Sequence, residues 1–158
     1  IKWVKSDNWH ITLKFLGDVE KRNLSEIKNE IVNIKDMKKF YFQINHIGAF
    51  PNLDYPKIIY LGINNGKNHL INIHKQIEDK LAALNFKKEE RKFTPHLTIA
   101  RGRKNTNYQK ISHLLRDFIK NKNNFINIYS YVDRISLMQS TLTPEGPIYQ
   151  EIFSNKLS

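Results

Sequence analysis

The chain has 158 residues, 40% of them hydrophobic and 26% charged, a length and balance that suit one folded domain and exclude a disordered chain. No apolar run approaches the roughly 20 residues that span a bilayer, and the first residues show no leader pattern, so a cytoplasmic protein without membrane contact is expected. Zero cysteines exclude disulfides and thiolate metal sites, while a net charge of +11 marks a surface that attracts polyanions, nucleic acid first among them.

Residues 9–16 read WHITLKFL. Trp9, Ile11, Leu13 and Phe15 alternate with His10, Thr12 and Lys14, which is the period of a strand. From Asn23, a plausible N-cap, Leu24, Ile27, Ile31 and Ile34 recur at helical spacing and predict a helix to about Lys35. Phe40, Phe42 and Ile44 alternate again, giving a strand that runs out at Gly48 and into a turn-rich stretch over residues 50–56. Residues 58–63 form a short strand, and Leu70, Ile73, Ile77, Leu81 and Leu84 lie on one face of the clearest helix in the chain. Residues 93–101 read FTPHLTIAR. Pro95 fits only the start or edge of a strand there, and His96, Thr98 and Ala100 share one face. A helix is predicted near residues 108–119. Two strands follow, over residues 126–142 and 148–153, joined by the turn Thr143, Pro144, Glu145, Gly146 and Pro147. Strands and helices in alternation indicate an α+β or α/β sandwich.

One internal similarity stands out. His10-Ile11-Thr12-Leu13 and His96-Leu97-Thr98-Ile99 share the form histidine, aliphatic, threonine, aliphatic. On a strand the histidine and threonine of each copy point one way and the aliphatics the other. Two such strands side by side aim two imidazoles and two hydroxyls into one site. Cleaving a phosphodiester needs that set: one group accepts a proton from the attacking oxygen while another donates one to the leaving oxygen. Imidazole, titrating near roughly pH 6.5, serves in both roles. Threonine hydroxyls can hold the non-bridging phosphate oxygens, and Arg101, five residues after His96, is the candidate cation for the charge that develops in the transition state. A single His-x-Thr on a strand carries little weight; two matched copies carry much more.

The other histidines lack such a pattern. His69 and His74 are five apart on a predicted helix, off the spacing of a metal pair, and His46 and His113 stand alone. All four are read as surface or packing residues, and no metal or other cofactor is expected.

The residues quoted, together with IGAFPN at residues 47–52 and STLTPEGPIY at residues 140–149, resemble the RNA 2′,3′-cyclic phosphodiesterase family, also called the 2′-5′ RNA ligase family, of the 2H phosphoesterase superfamily. The resemblance implies a bilobal α+β fold with two antiparallel sheets forming a V-shaped cleft, approximate two-fold symmetry and helices on the outer faces. It implies metal-independent hydrolysis of RNA 2′,3′-cyclic phosphate ends to 2′-phosphomonoesters. By the same analogy His96 activates water, His10 protonates the departing 3′ oxygen, Thr12 and Thr98 hold the phosphate, and Arg101 adds positive charge beside it. Phe50 and Tyr149 fall in family-like segments where an aromatic face can stack on a base, and Lys14, Arg103 and Lys104 are candidates for RNA phosphates. The expected partner is an RNA or oligonucleotide with a cyclic phosphate end, with no obligate protein partner. Residues 1–158 are read as a single domain lacking the strand and helix with which such proteins usually begin. Two alternatives remain open: a non-catalytic basic module that binds RNA ends, and a 2H phosphodiesterase acting on 2′-5′ linked oligonucleotides.

Overall fold

The structure, a computed structural model, describes residues 1–35, 37–121, 126–144 and 146–158. In chain order its elements are β1 (Lys2–Trp3), α1 (Leu24–Val32), β2 (Phe40–Phe50), β3 (Ile58–Ile63), α2 (Lys67–Ala82), β4 (His96–Arg101), α3 (Tyr108–Lys120), β5 (Ile128–Val132), β6 (Arg134–Thr143) and β7 (Gly146–Lys156), with short 3-10 turns at Ser6–Asn8 and Lys21–Asn23. The fold is α+β with two antiparallel sheets. It divides into two compact units, Ile1–Thr12 with Phe42–Lys67 and Thr94–Ser130, and Leu13–Tyr41 with Asn68–Phe93 and Tyr131–Ser158.

The first unit is built on a five-stranded sheet of order β1-β4-β3-β2-β5. Ala49, Ile59 and Ala100 are buried on one face beneath Leu115 of α3, with Ile111 packed against them. Ile111 and Leu115 stand four residues apart, so both reach the sheet from one side of the helix. Asn107 starts that helix, its side-chain oxygen accepting from the Lys110 amide at 2.9 Å and satisfying one of the amides that a helix start leaves bare. The salt bridge from Arg116 Nη2 to Asp54 Oδ1 (2.6 Å) ties the outer side of α3 to the β2–β3 connection.

Two irregularities set which side chains reach the opposite face. Between β3 and β4 the register passes from Ile59↔Ala100 to Tyr60↔Thr98, so Ile99 is an extra residue. Between β2 and β3 it passes from Ile44↔Ile63 to His46↔Gly62, so Asn45 is another. A bulge inverts the facing of everything beyond it.

In the second unit α1 buries Ile27 and Ile31, and α2 buries Leu70, Ile73, Ile77 and Leu81. The hairpin β6–β7 adds Ile135 and Leu137, and Leu157 is buried just past β7. Asn155 Nδ2 of β7 donates to the Ile31 carbonyl at 3.0 Å, and Lys80 of α2 pairs with Glu30 of α1 at 3.2 Å.

Two expectations are corrected. Residues 9–16 form no strand: among the described residues they have no ladder. The segment is held instead by side chains. Trp9 Nε1 donates to the Val4 carbonyl at 3.1 Å, the Leu13 carbonyl accepts from His74 Nδ1 at 2.7 Å, and Lys14 pairs with Glu78 at 2.7 Å. Alternation predicts a strand only where a neighbour completes the hydrogen bonding, and here Phe15 is exposed while the Lys14 side chain is buried. The expected strand over residues 126–142 is two strands, parted at Asp133, whose carbonyl accepts the Leu157 amide at 2.8 Å and whose carboxylate takes the Arg134 guanidinium at 3.0 Å. The predicted turn after β6 is present at Thr143, whose hydroxyl donates to the Gly146 carbonyl at 2.7 Å; Glu145 lies outside the described residues.

Candidate active site

His96 opens β4 directly after the buried Pro95. Its cross-strand partner is Gly62, that of Thr98 is Tyr60, and that of Arg101 is Ile58. Ile58, Tyr60 and Gly62 alternate along β3 and therefore share one face, so His96, Thr98 and Arg101 share it with them. Ala100, expected on this face, lies in the core instead, because the extra residue Ile99 swaps it with Arg101. Phe50, paired with Ile58 in β2, joins the same face, as does Lys2, paired with Arg101 in β1.

Aromatic rings surround the His96 imidazole. Phe50 meets it edge-on with centroids 5.0 Å apart, and Tyr60 does so at 5.3 Å. Phe50 and Tyr60 stack on each other at 4.5 Å. Gly48 makes room for this group, since a Cβ there would strike the Tyr60 ring. Burial pushes the Tyr60 phenol above its ordinary pKa, so it is neutral and a proton donor at physiological pH.

His10 belongs to the same unit by another route. β1 runs antiparallel to β4, and the Val4 amide donates to the Ile99 carbonyl at 2.9 Å, so the chain proceeds along β4 toward its His96 end. The 3-10 turn Ser6–Asn8 then leads to His10 and Thr12, both exposed.

The two histidines have matching local geometry. His10 Nδ1 lies 2.7 Å from the Asn8 carbonyl oxygen, and His96 Nδ1 lies 2.7 Å from the Thr94 carbonyl oxygen. Each acceptor is two residues upstream. A carbonyl only accepts, so each Nδ1 carries a proton, and Nε2 is the nitrogen whose protonation can change.

The remaining sequence candidates are distributed as follows. Tyr149 sits in β7 opposite Ser140, in the second unit. Lys14 is not a phosphate ligand: its side chain is 6% exposed, and its ammonium donates to Glu78 and to the Lys87 carbonyl. Arg103 and Lys104 are exposed just beyond β4. His69 stacks on Phe40 and His74 on Phe93, both packing contacts. Sequence reading missed Tyr60, although it is the aromatic at the even, glycine-sharing positions of β3, and it passed over His46. Among the described residues no cluster of three or more His, Asp or Glu could hold a metal ion, and no helix is long and apolar enough to cross a membrane.

Comparison with known proteins bears on family and fold. The family model described as LigT-like phosphoesterase matches residues 1–60 and again residues 61–149, one match holding each histidine motif. The chain is 41% identical to an RNA 2′,3′-cyclic phosphodiesterase of Methanocaldococcus jannaschii over 152 residues, covering 96% of this chain and 82% of the relative. It is 32% identical to one of Aeropyrum pernix, covering 99% and 86%. Among solved structures it resembles a Thermus thermophilus protein (TM-score 0.78, 18% identity, 99% and 81% covered) and Escherichia coli LigT complexed with 3′-AMP (TM-score 0.76, 20% identity, 99% and 81% covered).

Proposed function

The chain belongs to the LigT-like phosphoesterase family, and from that premise we propose that it opens 2′,3′-cyclic phosphate ends of RNA to 2′-phosphomonoesters, without a metal, by acid–base catalysis shared between His10 and His96. The observation that carries this reading is the matched tethering of the two imidazoles, each fixed through Nδ1 to the carbonyl two residues before it at 2.7 Å. Such a tether presets the tautomer and orientation of a proton-transfer group before substrate arrives.

In this mechanism Nε2 of His96 takes a proton from water as the water oxygen attacks phosphorus. The bond from phosphorus to O3′ breaks, and the proton on Nε2 of His10 passes to O3′. A 2′-phosphomonoester and a 3′ hydroxyl result, and the two histidines exchange protonation states with solvent before the next turnover. Thr12 and Thr98 donate to the non-bridging oxygens, and Arg101 neutralises the charge they gain. Phe50, with one face covered by Tyr60 and its ring against His96, holds the imidazole in place and offers its other face to a base; Tyr149 is assigned a stacking role on the resemblance alone. The relatives' shared name and the net charge of +11 support RNA as the substrate.

The test is hydrolysis of a nucleoside 2′,3′-cyclic phosphate by protein held in excess EDTA, with the product isomer identified. His10→Ala and His96→Ala are each expected to lower kcat at least about 10²-fold. Activity retained by either variant, or dependent on added metal, overturns the mechanism; salt-sensitive RNA binding with no turnover leaves only a binding module.

A further inference from the structure

His46 lies on the catalytic face, and nothing in the mechanism above uses it. The extra residue Asn45 turns His46 away from the core side, where Ile44 pairs with Ile63, and sets it opposite Gly62. Gly62 is in turn opposite His96 on its other side. The order across the sheet is therefore His46, Gly62, His96, with two strand spacings, roughly 10 Å, between the outer Cα positions. The His46 ring closes part of that gap. A Cβ on Gly62 would collide with its Nε2, Cε1 and Cδ2 atoms, so the imidazole lies over the glycine, on the side toward His96. Both strands flanking β3 thus carry a bulge, one re-aiming Arg101 and the other His46 onto one face, and bulges that re-aim side chains concentrate beside active sites.

The ring has a defined chemistry. His46 Nδ1 lies 2.8 Å from the Asn45 amide oxygen, which accepts, so the proton is on Nδ1 and Nε2 presents a lone pair. Burial of the ring, and then the nearby Lys67 ammonium, lower its pKa below the ordinary imidazole value, which keeps it uncharged. A neutral acceptor is a poor phosphate ligand and a good partner for O–H or N–H. We propose that His46 is a third substrate-contacting imidazole, whose Nε2 accepts a hydrogen bond from a donor on the nucleoside attached to the phosphorus at His96. This deepens, and rests on, the proposed reaction. Two donors on a nucleoside 2′,3′-cyclic phosphate fit: a base N–H, which an RNA end also carries, and the ribose 5′ hydroxyl, which only the mononucleotide carries.

Because such a bond forms in ground and transition states alike, its loss raises KM and spares kcat. His46→Phe, which keeps a ring over Gly62, is expected to raise KM for uridine 2′,3′-cyclic phosphate about tenfold with kcat within about twofold. His46→Gln, which retains an acceptor, is expected to recover most of the loss. With N3-methyluridine 2′,3′-cyclic phosphate the Phe variant matches wild type if the base is the donor; with the 5′-O-methyl analogue it matches if the ribose is. A penalty equal on all three substrates, an unchanged KM, or a fall in kcat alone overturns the assignment. Titration calorimetry with 2′-UMP separates this outcome from failure of the reaction itself: if wild type binds the nucleotide without turning over the cyclic phosphate, tenfold weaker binding by His46→Phe still supports the contact, and equal binding refutes it.

Discussion

Replacing Lys14 with methionine tests how the segment after the first histidine motif is held. Lys14 and Glu78 have side-chain exposures of 6% and 8%, with Nζ 2.7 Å from Oε2. That same oxygen accepts the Glu89 amide at 3.1 Å, and Glu78 Oε1 is buried with no hydrogen-bond partner. Lys14→Met therefore leaves a buried carboxylate with one backbone amide in place of a cation. Breaking a buried pair from one side costs about 3–5 kcal/mol. In a chain of this length that corresponds to a fall in Tm of about 6–20 °C. The double variant Lys14→Met with Glu78→Leu removes both desolvated charges and keeps apolar volume, and is expected to recover at least half of the loss. Thermal and urea unfolding of the four proteins in the cycle give the coupling directly. A single-variant shift below about 2 °C, or a double variant no better than the single, refutes the assignment of this pair as the anchor.

Other outcomes follow from the sheet face that carries His96. Gly48→Ala puts a methyl against the Tyr60 ring and is expected to cost about 1–3 kcal/mol in urea unfolding, with a loss of activity as the Phe50, Tyr60 and His96 group shifts; an unchanged midpoint contradicts the packing described. Arg101→Met is expected to lower kcat about 10²–10³-fold with a smaller effect on KM, and steady-state kinetics showing only a KM effect would place Arg101 outside the transition state. His46 is predicted to titrate below 6.5 by NMR, and Lys67→Met to raise its midpoint. The folded state then binds fewer protons than the unfolded one. His46's contribution to stability is therefore full above 6.5 and is lost as pH falls from there to the folded value, so a slope of opposite sign in that window rules the prediction out.

The sequence exposes what periodicity encodes. The α2 face of Leu70, Ile73, Ile77 and Leu81 and the strand at Ile58–Ile63 are read directly, because burial on one side imposes a repeat that survives in the residues. Both histidine motifs are legible as a repeated residue pattern, although only the second lies on a strand. Residues 9–16 mislead because alternation specifies a pleated surface and not a neighbour to pair with, and the buried bond from Lys14 to Glu78 joins positions far apart in the chain. The facing of Arg101 is hidden by the bulge at Ile99: five residues from His96 predicts opposite faces, and only the register shows them together. His46 is hidden the same way. The paired bulges, and the glycines Gly48 and Gly62 over which Tyr60 and His46 lie, act through geometry that residue type alone does not reveal.

The sharing of one phosphorus by two tethered imidazoles is tested most directly by a crystal structure of the protein with a bound 2′-nucleoside monophosphate. Nε2 of His10 and Nε2 of His96 should each lie about 2.6–3.2 Å from oxygens of the same phosphate. A phosphate that touches one of them alone, or that binds away from both, contradicts the account.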